Sequence, residues 1–96
     1  MECQDHNKPV KAVATIVNEK GLHARASSKF ASLANLYSAT IEVEKNGVSV
    51  SGKSIMGLLL LSANKGSKIT IKTCGPEKDL ALEALVSLVE KGFDEV

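Results

Sequence analysis

The stretch Thr40-Ile41-Glu42-Val43-Glu44-Lys45-Asn46-Gly47-Val48-Ser49-Val50-Ser51 decides the fold. Polar and apolar residues alternate on both sides of Asn46-Gly47, the period of a strand with one buried face. Asn-Gly between two such runs is the strongest short-range hairpin signal, because a tight two-residue turn needs φ > 0 at both positions. Two antiparallel strands therefore meet here. Upstream, Ala26, Phe30, Leu33, Ala34 and Tyr37 fall on one face of a 3.6-residue period, opposite Ser28, Lys29, Ser32 and Asn35. That spacing predicts a helix from about Ala24 to Tyr37. Further upstream, Val10, Ala12, Ala14 and Ile16 alternate, predicting a strand over Lys11 to Val17 that the turn-forming Asn18-Glu19-Lys20-Gly21 ends.

Downstream of the hairpin, Gly52-Lys53 breaks the second strand and Ser54 stands before the apolar run Ile55-Met56-Gly57-Leu58-Leu59-Leu60-Leu61. A serine hydroxyl accepts a bond from an unpaired first-turn N–H, so Ser54 reads as the N-cap of a short helix over Ser54 to Leu61, with Asn64-Lys65-Gly66 as its exit. Lys68 to Thr73 alternates again, and Gly75-Pro76 turns the chain. From Glu77 to about Phe93, Leu80, Ala81, Ala84, Leu85, Leu88 and Val89 follow helical spacing. Glu77 and Asp79 at the start and Lys91 near the end match the helix dipole. The order is β-α-β-β-α-β-α. Strands with one apolar face and helices with one apolar stripe combine most economically as an α+β fold, a four-stranded antiparallel sheet with three helices on one face. Residues 1–9 read as a polar leader and 10–96 as the domain.

The composition narrows the function. Ninety-six residues make one domain, too few for a TIM barrel or a full dinucleotide-binding fold. Twelve basic residues against eleven acidic ones leave a net charge of +1, and there is no Trp, one Tyr and two Phe. That charge gives no electrostatic reason to expect a nucleic-acid partner, and bases would have few aromatic platforms to stack on. No run approaches the length of a membrane span, and MECQDHNKPV holds no signal-peptide apolar region, so the expected location is the cytoplasm. Two cysteines, Cys3 and Cys74, are few for a disulfide framework; Cys74 reads as a free, partly buried residue ending a strand. Two His and two Cys do not form a zinc spacing, and no metal or cofactor is expected.

Of the two histidines, His6 lies in the leader and reads as a solvated tail residue. His23 sits in Gly21-Leu22-His23-Ala24-Arg25-Ala26, between a strand end and a helix start. There, unpaired backbone N–H groups favour an anion, so a phosphate carried on His23 would meet them. Arg25 stands two residues on, suited to a charge-assisted contact with the same oxygens. Read alone, a histidine at this position is more often a tolerated cap-region residue. Ser54 likewise has two compatible readings, as a helix cap and as a phosphorylation site whose dianion would repel acidic partners. The short helix it caps is too apolar to face inward entirely. Met56 and one or two leucines should be exposed, which reads as a partner surface.

The stretches GLHARASSKF and GKSIMGLLLL resemble, respectively, the active-histidine motif and the regulatory-serine region of the histidine-containing phosphocarrier (HPr) family of the bacterial phosphotransferase system. The separation of the two motifs and the element order, an open-faced β-sandwich in that family, fit as well. The resemblance spans about Lys11 to Phe93. It implies that His23 takes a phosphoryl group on Nδ1 from enzyme I and passes it to a histidine of a IIA-type protein, with Arg25 stabilising the phosphate. It implies that Ser54 matches the serine modified by a dedicated ATP-dependent kinase in some bacteria. It also implies that Ile55, Met56 and Leu59 match the docking surface, and that the protein is a monomeric carrier rather than a turnover enzyme on small molecules. One departure is Ala26, where many members have Pro; losing Pro loosens the helix start a little, but Ala is the best helix former, and the roles of His23 and Arg25 survive. HARAS followed by SIMGLLLL further resembles alphaproteobacterial variants that serve a regulatory nitrogen and carbon relay rather than sugar uptake. The competing readings are a purely regulatory protein-binding module of the same fold, controlled at Ser54, and a small ferredoxin-like nucleic-acid binder.

Overall fold

The computed structural model describes residues 8–95. Its elements run β1 (Val10–Thr15), α1 (Ala24–Ala34), β2 (Thr40–Lys45), β3 (Val48–Ser51), α2 (Ile55–Leu60), β4 (Lys68–Cys74) and α3 (Lys78–Glu90), followed by a tight turn over Gly92–Asp94. The hairpin forms as its sequence dictates: Asn46 has φ 51° and Gly47 φ 83°, and Val43 faces Val50 across the ladder. The sheet order is β1-β4-β2-β3, with every neighbour antiparallel. Placing β4 in the centre pairs Val43 with Ile71 and Ala14 with Ile69, so one face is continuously apolar. Lys11, Val13, Thr15, Glu42, Glu44, Thr70 and Lys72 occupy the other face, where Lys72 approaches Glu42 at 3.8 Å. The helices cover the apolar face. Phe30 from α1, Leu58 from α2, and Ala81, Leu85 and Val89 from α3 close over Ile16, Val43, Ile69 and Ile71, all fully buried. The α+β open-faced sandwich expected from the sequence is therefore the architecture observed.

Element ends depart from the periodicity. β1 stops at Thr15, two residues early; Ile16 stays bonded to the segment before β4 but out of register, its N–H donating to Ser67 O (2.8 Å) and its carbonyl accepting from Gly66 N (2.7 Å). α1 ends at Ala34 rather than Tyr37. The Asn35 side chain donates back to Ala31 O (2.8 Å), and the Leu36 and Tyr37 N–H groups donate three residues back, to Leu33 O and Ala34 O. α2 leaves through Ser62 at φ 50°, earlier than the glycine exit at Gly66. α3 ends at Glu90, and Leu80, expected inward, is 59% exposed.

Cys74 is also corrected. It is fully buried and disulfide-bonded rather than free and partly buried. Linear separation hides why such a site can be cross-linked. Val10 pairs with Thr73, and the Lys8 carbonyl accepts from Lys78 Nζ, so the polypeptide leading into β1 runs beside the end of β4. The readings of Cys3 and His6, and most of the leader, lie outside the described residues.

Candidate functional site

His23 is the N-cap of α1, with extended backbone (φ −80°, ψ −175°) and no side-chain capping bond. The first intrahelical bond is Ser27 N–H to His23 O at 2.8 Å. The amides of Ala24, Arg25 and Ala26 thus precede the helical ladder, and no acidic residue occupies the first turn to neutralise them. Ser27, fully buried, anchors the turn beside His23, its hydroxyl donating to Leu22 O (3.2 Å). Leu22 in turn is buried and donates its N–H to Ala63 O (2.8 Å), which docks the loop onto the α2–β4 connection. Gly21 makes that docking feasible: its φ is +66°, and a Cβ there would stand 2.4 Å from Ala63 O.

The His23 side chain is 26% exposed and lies in a shallow depression of about 540 Å³ lined by Val17, Asn18, Arg25, Lys29 and Glu95 among others. Nε2 approaches Glu95 Oε2 at 2.6 Å. The other carboxylate oxygen, Oε1, accepts from Asn18 Nδ2 at 2.9 Å, and the same amide donates to Gly21 O at 2.8 Å. Asn18 Oδ1 is buried without a partner among the described residues, so this side chain is oriented for its two donor bonds. Arg25, on the exposed surface of the first turn, carries the one guanidinium of the sequence.

Glu95 reaches His23 through an unusual backbone. Gly92, Phe93 and Asp94 take φ values of 65°, 57° and 59° in succession. A bulky residue such as Phe93 in the left-handed region costs about 1–2 kcal/mol. Burial of the Phe93 ring, 0% exposed, offsets that cost, and Lys29 Nζ donates to its carbonyl at 2.7 Å. This turn is why α3 does not continue to Phe93 as its apolar spacing predicts. The turn sends the chain back across the start of α1.

The Asn18 amide and then the His23 ring N–H hold the Glu95 carboxyl below its ordinary value of 4.5, with Lys29 adding a weaker favourable charge and partial burial opposing them. A depressed carboxylate stabilises the fold above its unfolded value and ceases to do so as pH falls through the lower folded value. The Glu95–His23 contact, followed by NMR, should therefore survive acidification to pH 4.5 and open only below it; opening already above about pH 5 would contradict the arrangement.

The remaining sequence-selected residues lie on an adjoining surface. Ser54 caps α2, its Oγ accepting from Gly57 N at 3.0 Å. Leu58 points inward, while Met56 and Leu60 are each 74% exposed and Ile55 and Leu59 are partly exposed. The expected apolar patch therefore exists, with Leu60 a member that the sequence did not single out. Asn18, Lys29 and Glu95 were missed as site residues. Glu95 stands 72 positions from His23, and nothing in a linear pattern connects a C-terminal acid to a helix cap. No cluster of metal-ligating side chains occurs among the described residues, and no helix there is long and apolar enough to cross a membrane.

The site thus joins a partly exposed histidine at a helix N-terminus to an exposed arginine in the same turn. A family model described as the "PTS HPr component phosphorylation site" matches residues 10–91. The chain is 43% identical over 81 residues to the phosphocarrier protein HPr of Cupriavidus necator, covering 84% of this chain and 91% of that one. It is 46% identical over 82 residues to the phosphocarrier protein HPr of Pseudomonas aeruginosa, with the same coverage. The crystal structure of an HPr from Thermoanaerobacter tengcongensis superposes with a TM-score of 0.87 at 36% identity, covering 91% of this chain and 98% of that one. The chain belongs to the HPr family of phosphocarriers of the phosphotransferase system.

Proposed function

We propose that His23 is the phosphoryl-carrying residue, that it receives the group from the phosphohistidine of enzyme I, and that it delivers it to a histidine of a IIA-type protein. A phosphocarrier role follows from family membership. The observation that supports its assignment to His23 is the position of this side chain: partly exposed, at the cap of α1, with no capping duty and with first-turn amides beside it. In the transfer, an imidazole nitrogen lone pair attacks phosphorus in line. The N–P bond of the donor breaks, and the donor nitrogen keeps that electron pair. Fixed N–H dipoles and the Arg25 guanidinium stabilise charge on the phosphoryl oxygens as it moves. A shallow, open site suits the exchange, because donor and acceptor must occupy it in turn. Ile55, Met56, Leu59 and Leu60 form the apolar surface against which each partner docks.

Ser54 carries the regulatory part of the proposal. A phosphate there would add a dianion at the start of α2, beside the same docking surface. Ser54→Asp should slow phosphoryl acceptance at His23 by about tenfold through like-charge repulsion of an acidic partner surface. Ser54→Ala removes only the 3.0 Å cap bond, costing about 1 kcal/mol of stability with transfer unchanged. Stopped-flow transfer from phosphorylated enzyme I checks both; equal rates for Ser54→Asp and wild type would leave Ser54 a cap alone. The carrier assignment itself is tested by incubating the chain with enzyme I and phosphoenolpyruvate and counting acid-labile phosphoryl groups, of which one per chain is expected.

A further inference from the structure

Two hydrogen-bond donors converge on the two oxygens of Glu95: Asn18 Nδ2 on Oε1 at 2.9 Å and the His23 ring on Oε2 at 2.6 Å. An ionised carboxylate only accepts, so at 2.6 Å the His23 Nε2 must carry the proton. In the neutral ring this leaves the lone pair on Nδ1. We propose that Glu95 is a positioning residue for the transfer: it fixes His23 in its Nε2–H tautomer and so selects Nδ1 as the nitrogen that takes the phosphoryl group. This deepens, and rests on, the phosphocarrier reading of His23.

The surrounding structure holds Glu95 for this task. The left-handed turn Gly92–Asp94 is anchored by the buried Phe93 ring and by Lys29 on its carbonyl, and Glu95 N–H donates to Gly92 O at 3.0 Å. Asn18 ties the carboxylate to the loop that precedes His23 through its second bond to Gly21 O. The imidazole is thereby oriented from the side opposite its reacting nitrogen, the arrangement by which a carboxylate sets the tautomer of a catalytic histidine. The balance of the step is favourable as well. When the Nδ1 lone pair forms the new N–P bond, the ring keeps its Nε2–H and becomes cationic. Glu95 already faces that N–H as a counter-charge, and no proton has to leave. When the group moves on, the electron pair returns to Nδ1 and the same neutral tautomer is restored.

The test uses the full chain. Long-range 1H–15N NMR of the His23 ring, at a pH where it is neutral, should show one tautomer in the wild type, with Nδ1 unprotonated. In Glu95→Ala it should show a mixture of both. The Glu95→Ala rate of phosphoryl acceptance from phosphorylated enzyme I should fall about tenfold, mainly in kcat, because Glu95 is not among the apolar residues on which the partners dock. Asn18→Ala should move both readouts in the same direction by less. An unchanged tautomer ratio in Glu95→Ala overturns the proposal, whether or not the rate falls. So does a phosphoryl group found on Nε2. A wild-type chain that accepts no phosphoryl group defeats the carrier assignment instead, and the tautomer measurement still decides the role of Glu95.

Discussion

Replacing His23 with alanine should abolish phosphoryl acceptance, lowering incorporation from phosphoenolpyruvate and enzyme I by about a thousandfold or more, to the level of a blank. The fold should survive this change. The helical ladder of α1 begins at the His23 carbonyl, not at its side chain, and the side chain makes no cap bond. The core beneath is built from Leu22, Ala26, Ser27 and Phe30, which the substitution does not touch. A melting curve close to wild type together with lost incorporation separates chemistry from folding. Incorporation at the wild-type rate would place the carried group on another residue and end the assignment.

Gly21→Ala should have the second large effect, through the scaffold of the same loop. At φ +66° an alanine is strained, and its Cβ would lie 2.4 Å from Ala63 O and 2.9 Å from Asn64 Cα, both backbone atoms. Backbone cannot rotate away as a side chain tip can, so either the loop lifts or the α2–β4 connection shifts. The Leu22 N–H to Ala63 O bond (2.8 Å) and the Asn18 bond to Gly21 O (2.8 Å) are strained together. Left-handed strain and overpacking together cost about 3 kcal/mol. For a domain of this size that is a drop of about 15 °C in Tm, measurable by calorimetry. Because His23 follows two residues later, transfer should slow as well. A Tm within about 3 °C of wild type would show that the close approach at Gly21 is not what fixes the loop.

These two residues also show which features the sequence made legible. The hairpin was legible because Asn46-Gly47 is a local device: both residues must take φ > 0, and both do. The Ser54 cap was legible for the same reason, since its bond to Gly57 spans three positions. His23 stood at an element boundary that turn residues on one side and helical spacing on the other defined from the chain alone. The end of α3 was hidden because Phe93 does complete the apolar face. It does so from a left-handed turn, and periodicity does not distinguish a buried helical residue from a buried turn residue. Glu95 was hidden because its meaning depends on that turn. Leu80 was misplaced because it fits the helical spacing yet stays exposed in the first turn of α3. Cys74 was misread because only the β1–β4 pairing shows that the start of β1 lies beside the end of β4.

The most direct measurement is the position of the phosphoryl group on the intact chain. After incubation with phosphoenolpyruvate and enzyme I, mass spectrometry under alkaline conditions locates the modified residue, and 31P NMR distinguishes the two ring nitrogens. The account predicts one acid-labile group, on His23 at Nδ1, which is lost when a IIA-type acceptor is added. A chain that leaves this incubation with His23 unmodified would contradict it and make the chain a regulatory binding module.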